Sequence, residues 1–239
     1  RCSRTERDGL PAAPLHVNGL IEELKNGYRL FHAGQFPEAR AVFEDILTAV
    51  PLTVAHARSE AGECREMVEI CREYITAIRL KVAIGECGED PKRQMELGAY
   101  FTHQNLQPGH LLLALRLAMA SAFKHKNFIT AASFARRLLE LPDISSEKNA
   151  DLKLKAQKVL QKSEQMGSNE HALDYDERNP FAVDAADLVP IYRGSPEVTC
   201  PFCASHYQPR HANGLCATCN ISQIGVETIG LVSQVAARR

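Results

Sequence analysis

Between His110 and Lys124 only Arg116 and Ser121 interrupt a run made of Leu111, Leu112, Leu113, Ala114, Leu115, Leu117, Ala118, Met119, Ala120, Ala122 and Phe123. A helix that is apolar nearly all round has no face to offer water, so it is expected at the centre of a bundle. Arg116 breaks the run well short of the roughly 18 to 20 apolar residues a bilayer-spanning helix needs. After His125 and Lys126, Asn127 is placed to cap a second helix. There Phe128, Ala131, Ala132, Ala135, Leu138 and Leu139 recur at i, i+3, i+4 and i+7 spacing, and Pro142 ends it. Small alanines let two backbones approach closely. The pattern predicts an antiparallel hairpin whose first helix is central and whose second is a lid with Arg136, Arg137 and Glu140 towards water.

The flanking sequence repeats the theme. From Asn18, a candidate cap, Leu20, Ile21, Leu24, Tyr28 and Phe31 keep helical spacing to Gly34. Phe36 and Pro37 then open a helix faced by Ala39, Val42, Phe43, Ile46 and Leu47 and closed by Pro51. Gly27, Ala39, Phe43 and Pro51 fall at the small, small, aromatic and proline positions of a tetratricopeptide unit. Residues 127–131 echo residues 35–39, so either two repeat-like (TPR-like) hairpins or convergence on short-turn helix pairs accounts for the likeness.

Next, Val54, Ala57, Ala61, Cys64, Val68, Cys71, Ile75, Ile78 and Val82 alternate spacings of three and four, with Arg58, Arg65, Arg72 and Arg79 following every second one. This is a long helix with a coiled-coil-like seam, packed in its own bundle or docked on a partner helix. Cys64 and Cys71 lie about 10 Å apart by helical rise, too far for a disulfide, and are core residues. Pro91 opens a helix carried by Met95, Leu97, Tyr100 and Phe101 to Asn105. His103 and His110 lack acidic or sulfur neighbours and read as structural. From Ser145 to Met166, Leu152, Leu154, Ala156, Val159 and Leu160 mark another amphipathic helix, with Lys153, Lys155, Lys158 and Lys162 as its solvated face.

The 239 residues, 45% apolar, can bury a substantial core. Their 28 basic and 29 acidic residues create no field that favours polyanions. The chain opens at Arg1 with no initiator Met and no signal segment, as expected of part of a longer soluble protein. Residues 1–17 read as a linker, 18–167 as a helical domain, 168–196 as an extended connecting segment and 197–239 as a small β-containing module.

That module is defined by Cys200-Pro201-Phe202-Cys203 and Cys216-Ala217-Thr218-Cys219, separated by twelve residues. Each knuckle points two thiolates at one place, and two knuckles complete a tetrahedral zinc site with Zn–S distances near roughly 2.3 Å. Four sulfurs leave no open position for water, so the zinc is expected to stabilise folding and not to catalyse. His206 and His211 lie in the intervening loop but are not needed as ligands. Asn213-Gly214 supplies a turn, and Ile221, Ile224, Val226, Ile229, Leu231 and Val232 offer strand residues for a zinc-ribbon-like sheet. The scattered Cys2, Cys64, Cys71 and Cys87 beside such a quartet indicate a reducing compartment.

In the connecting segment, Asn179-Pro180-Phe181 and the stretch 189–194 read as extended, because residues before proline avoid the helical region. Tyr175, Phe181, Ile191 and Tyr192 either staple this segment to the helical body or form a binding surface. No phosphate-binding loop, nucleophile elbow or paired-carboxylate motif is present, so the chain gives no positive sign of an enzyme.

Taken together, residues 70–75 (ICREYI), 99–103 (AYFTH), 105–108 (NLQP), 130–141 (TAASFARRLLEL), 179–181 (NPF) and 190–194 (PIYRG) resemble the C-terminal domain of the coatomer (COPI coat) alpha subunit family, a likeness covering about residues 18–235. The resemblance implies a mainly helical domain with a small β-containing end. It implies a non-enzymatic scaffold of a cytoplasmic coat, peripheral on Golgi membranes and COPI vesicles, supporting Golgi-to-ER and intra-Golgi transport. Its implied partner is the coatomer epsilon subunit, whose helical repeats encircle a projecting hairpin of the domain. We place that hairpin between Leu173 and Gly194, with Tyr175, Asn179, Phe181, Ile191, Tyr192 and Arg193 as partner-binding residues. The family's cargo-reading propellers are absent from this chain, so cargo binding is not expected here. The competing reading is a zinc-ribbon adaptor for nucleic acid. Against it, residues 196–239 carry only Arg210, Arg238 and Arg239 opposite Glu197 and Glu227, too little positive charge to grip phosphates.

Overall fold

Gly27 sets how closely the first two helices approach. A Cβ at this position would sit 2.8 Å from Cε1 of Phe43, whose ring is fully buried. The helices are α1 (Val17–His32) and α2 (Phe36–Ala49), joined through Gly34 at φ 77°, a left-handed conformation that glycine adopts without strain. The computed structural model describes residues 15–229 and, before them, the backbone of two short strands, β1 (Ser3–Arg4) and β2 (Pro11–Ala12), which pair antiparallel. The predicted helix start at Asn18 falls slightly late. The N–H groups of Gly19 and Leu20 bond to the carbonyl of His16, so Asn18 already lies inside α1, drawn in by burial of Val17.

The chain forms two compact units, Arg1–Ile75 with Val198–Arg239, and Thr76–Glu197. In the first, Tyr74 completes an aromatic cluster, its ring centroid 5.0 Å from those of Tyr28 and Phe31 and 4.9 Å from that of Phe43. Tyr74 belongs to α3 (Arg58–Glu86), the predicted long helix. The seam residues Ala61, Cys64, Val68, Cys71, Ile75 and Ile78 are buried as expected, but the two ends are not, since Val54 is 65% exposed outside the helix and Val82 is 45% exposed. Met67, Ala77 and Leu80 are buried as well. Around Tyr74–Ile78 the helix is therefore enclosed on every side, which is an interior helix and not a two-faced seam. Burial pushes the Cys71 thiol up to about 12, in keeping with an inert core residue.

The second unit is built on α4 (Pro91–Phe101), α5 (Pro108–Lys124), α6 (Phe128–Glu140) and α7 (Ala150–Met166). Asp90 caps α4 by accepting the Arg93 N–H at 3.1 Å. Leu112, Leu115, Ala118, Met119 and Ala122 of α5 meet Met95 and Ala99 on one side and Ala131, Phe134, Ala135 and Leu138 on the other, so α5 is central as expected. The lid reading of α6 needs correction. This helix packs against both α5 and α7, and Phe134, which falls off the predicted alanine face, is fully buried. Arg137 turns inward too, donating from Nη1 to Thr102 Oγ1 and from Nη2 to the Thr102 carbonyl, both at 2.8 Å.

Asn127 also departs from its expected role. Its side chain caps nothing. Oδ1 accepts the His171 N–H at 2.8 Å and Nδ2 donates to the His171 carbonyl at 2.9 Å. The α6 N-terminus is satisfied from a distance: Phe128 and Ile129 donate to the Ser168 carbonyl, and Ile129 and Thr130 donate to Asn169 Oδ1. Ser168 and Asn169 thus act as a tertiary cap for the Phe128, Ile129 and Thr130 N–H groups, which have no partner within their own helix. α7 begins at Ala150, later than predicted, after 3₁₀ turns at Pro142–Ser145 and Glu147–Asn149. On α7 the predicted core position Leu154 is 56% exposed while Ser163 is buried.

The unit ends in a hairpin of β3 (Phe181–Val183) and β4 (Pro190–Tyr192), with Phe181 opposite Tyr192 and Ala182 opposite Ile191. In the first unit β5 (Val198–Thr199) pairs with β6 (His206–Tyr207). After β6 comes a 3₁₀ turn at Pro209–His211, and the one further strand-type pairing among the described residues is a bridge between Leu215 and Gln223. The predicted strand over Ile221–Ile229 does not form in them: Ile221, Val226 and Ile229 are exposed and Ile224 alone is buried. Leu231, Val232, Cys2, Arg238 and Arg239 lie outside the described residues. The fold is mainly helical with a few small antiparallel strands.

Candidate functional site

The two cysteine knuckles have the same local structure twice over. In each, the second cysteine N–H faces the first sulfur at 3.5 Å, Cys203 N to Cys200 Sγ and Cys219 N to Cys216 Sγ. The residue that follows then closes the turn in a left-handed conformation, Ala204 at φ 56° and Asn220 at φ 53°, donating to the carbonyl of Cys200 and Cys216 respectively. Asn213, at φ 67°, and Gly214 bond to both sides of Ile224 and form the predicted turn between the knuckles.

All four sulfurs are buried and lie within 4.8 Å of one another, with Cys200 and Cys219 at 3.7 Å and Cys203 and Cys216 at 3.5 Å. A tetrahedron of sulfurs at about 2.3 Å from a central zinc has edges of about 3.8 Å. The separations fit that figure and are far from the roughly 2.05 Å of a disulfide. The residues present therefore fit a zinc ion, and His206 and His211 stay outside the cluster. Bonds shared among the sulfurs hold the Cys200 thiol down to about 7, chiefly through Cys203, and depress Cys216, chiefly through Cys200. The same sharing raises Cys203 and Cys219, in each case chiefly through Cys200.

A second layer of side chains holds the quartet. Tyr207 Oη is 3.1 Å from Cys216 Sγ, and Ser205 Oγ is 3.2 Å from Cys203 Sγ. Arg72 of α3 pairs with Glu73 at 2.8 Å and turns Nη1 to the carbonyls of Ala204 and Cys203, at 3.4 and 3.5 Å. Arg79, one heptad on, donates to the carbonyls of Ala185 and Ala186 in the β3–β4 loop. Arg93 donates to those of Asp187 and Leu188. The sequence alone did not reveal these loop-gripping arginines. The visible signal was the regular spacing of Arg72 and Arg79, which reads equally well as a solvated stripe.

The aromatic residues of the connecting segment come together on the second unit. Phe181 lies 5.6 Å from Tyr192, 6.2 Å from Tyr175, 5.6 Å from Tyr100 and 5.0 Å from His103, centroid to centroid. Tyr175 also meets Phe134 at 5.9 Å, and its hydroxyl is 2.8 Å from His103 Nε2. Burial pushes the Tyr175 phenol up to about 12 and is the larger of the causes, ahead of Arg137, that hold His103 down to about 4. Tyr192 accepts the Asp176 N–H at 2.9 Å, Ile191 is buried, Asn179 is half-buried and bonds through its N–H to Asp176, and Arg193 is exposed with its N–H on the Pro180 carbonyl. Most of the aromatic area thus anchors the hairpin. Arg193 and the outer parts of Tyr192 and Phe181 remain open.

Residues 2–239 match the family model that describes the C-terminus of the coatomer (COPI) alpha subunit. The chain belongs to this family. It is similar to coatomer subunit alpha-1 of Arabidopsis thaliana, 40% identical over 93% of this chain and 18% of that protein. Coatomer subunit alpha of Dictyostelium discoideum is 42% identical over 92% of the chain and 19% of that protein, and coatomer subunit alpha of Saccharomyces cerevisiae is 31% identical over 93% and 18%. The chain spans a little under a fifth of the length of these relatives. The stretches behind the family resemblance map onto its packed parts: residues 70–75 on the enclosed middle of α3, 130–141 on α6, and 179–181 with 190–194 on the hairpin. No helix among the described residues is long and apolar enough to cross a membrane.

Proposed function

We propose that this coatomer alpha C-terminal domain is a non-enzymatic scaffold of the COPI coat that binds the coatomer epsilon subunit. The family match over residues 2–239 carries the reading. The domain works in the cytoplasm, peripheral on Golgi membranes and COPI vesicles through the assembled coat, in Golgi-to-ER and intra-Golgi transport. Consistent with a scaffold, its aromatic side chains go into packing, and its balanced charge gives no grip on polyanions.

The epsilon-binding surface is the segment from Leu173 to Gly194. Tyr175, Phe181, Ile191 and Tyr192 fix the hairpin's shape, and Asn179, Arg193 and the open edges of Tyr192 and Phe181 meet the partner. Cys200, Cys203, Cys216 and Cys219 hold a structural zinc within a zinc-ribbon-like module. When bound, zinc supplies a cross-link between the knuckles and no open coordination position.

The test is co-purification with a candidate epsilon subunit, with light scattering for stoichiometry and elemental analysis for zinc on the same sample. A one-to-one complex with about one zinc per chain is expected. A folded, zinc-loaded domain that fails to bind would overturn the scaffold reading. Arg193→Glu, at an exposed position, should weaken the complex without altering the circular dichroism, and unchanged affinity would remove the hairpin from the interface.

A further inference from the structure

Beside the hairpin, the outer face of α6 borders an open cleft of about 420 Å³ lined by His103, Ser133, Arg136, Arg137, Glu177 and Arg178. Three guanidinium groups face one carboxylate. Arg137, half-buried, is held at Thr102 by a hydroxyl and a carbonyl, which fix its direction but carry no opposing charge. Among the described residues no carboxylate lies within ion-pair distance of Arg137 or Arg178. Arg136 pairs with Glu164 at 2.8 Å, but both side chains are more than half exposed, so solvent weakens the pair. His103 is neutral at physiological pH, leaving the arginines to set the sign of the cleft.

We propose that this cleft binds a carboxylate side chain from an acidic peptide segment of a partner protein, held between the Arg178 and Arg137 guanidinium groups with Arg136 at the rim. The forked donors of guanidinium match a planar carboxylate. Glu177, whose carboxylate accepts the Ser133 hydroxyl at the cleft wall, offsets part of the arginines' positive charge. Its repulsion of a phosphate dianion is about twice that of a carboxylate, while the planar fork of guanidinium matches the planar carboxylate. The inference does not rest on the epsilon reading, since it concerns the chemistry of the cleft whichever protein supplies the segment.

Fluorescence anisotropy of a labelled hexaglutamate peptide, titrated with the whole chain, tests the proposal. Hexaglutamate should bind more tightly than hexaglutamine and weaken with added salt. Arg178→Ala and Arg136→Ala should each weaken it about tenfold, while Arg29→Ala, on α1 in the first unit, leaves it unchanged. Glu177→Gln should tighten binding about threefold, a gain that misfolding cannot produce. Inorganic phosphate should compete no better than sodium chloride of equal ionic strength. Equal binding of the two peptides, wild-type affinity in both arginine variants, or preferential displacement by phosphate would each overturn it.

Discussion

The phenol oxygen of Tyr207 lies 3.1 Å from the sulfur of Cys216, and it accepts the Ala217 N–H at 2.9 Å. With Ala217 on its acceptor side, the phenol's single proton is free to point at sulfur and stabilise a thiolate there. Tyr207→Phe keeps the fully buried ring and removes only that donor. Zinc affinity, measured by competition with a chromophoric chelator, should fall about tenfold with an unchanged far-ultraviolet spectrum. Wild-type affinity in the variant would mean that the hydroxyl serves the backbone alone.

Asn127 is fully buried and makes both of its side-chain bonds to the backbone of His171. Asn127→Ala strands a donor and an acceptor in the interior and should cost about 3 kcal/mol in denaturant unfolding. Asn169→Ala, which loses an exposed cap to α6, should cost about 1 kcal/mol. If the two variants were equally stable, the tertiary cap would not depend on Asn127.

At Gly27 the space for a side chain is already filled by the Phe43 ring. Gly27→Ala should therefore destabilise by about 1 to 2 kcal/mol, although alanine is intrinsically the better helix former. The smaller Phe43→Leu should relieve the clash, so a double-mutant cycle should give a favourable coupling between the two changes. Additive effects would place the strain elsewhere.

His103 titrates at about 4, below its ordinary value near 6.5, because the folded chain partly buries the ring and sets Arg137 beside it. Below pH 6.5 the unfolded chain takes up a proton that the folded chain refuses. Its contribution to stability is thus fully present above pH 6.5 and is lost as pH falls through 4. Unfolding experiments across this window should show a shallower slope for His103→Gln than for the parent chain. Parallel slopes would show that other groups carry the acid sensitivity.

Much of this architecture was legible because local rules and packing agree. The helix boundaries at Gly34, Pro91 and Pro142 follow from backbone chemistry that no tertiary contact can override. The apolar girdle of α5 and the alanines of α6 could be buried only against each other. The readings that failed are those where a distant group took over a local role. Asn18 and Asn127 are good caps by type, but one lies inside its helix and the other bonds to His171, while Ser168 and Asn169 cap α6 from across the chain. Ile221, Val226 and Ile229 have strand propensity but no partner strand in the described residues to realise it.

The sequence by itself determined the helical class, the family and the pairing of four cysteines into two knuckles, because periodicity and short spacings are properties of neighbours along the chain. Only the tertiary structure decided that the four sulfurs converge to tetrahedral spacing, that Arg72 and Arg79 grip loop carbonyls, and that Arg137 bonds to Thr102 with no carboxylate among the described residues within ion-pair distance. Each of these depends on groups far apart in sequence meeting at hydrogen-bond distance. Hydrogen bonds and ion pairs act over a few ångströms of space, and no spacing along the chain encodes them directly.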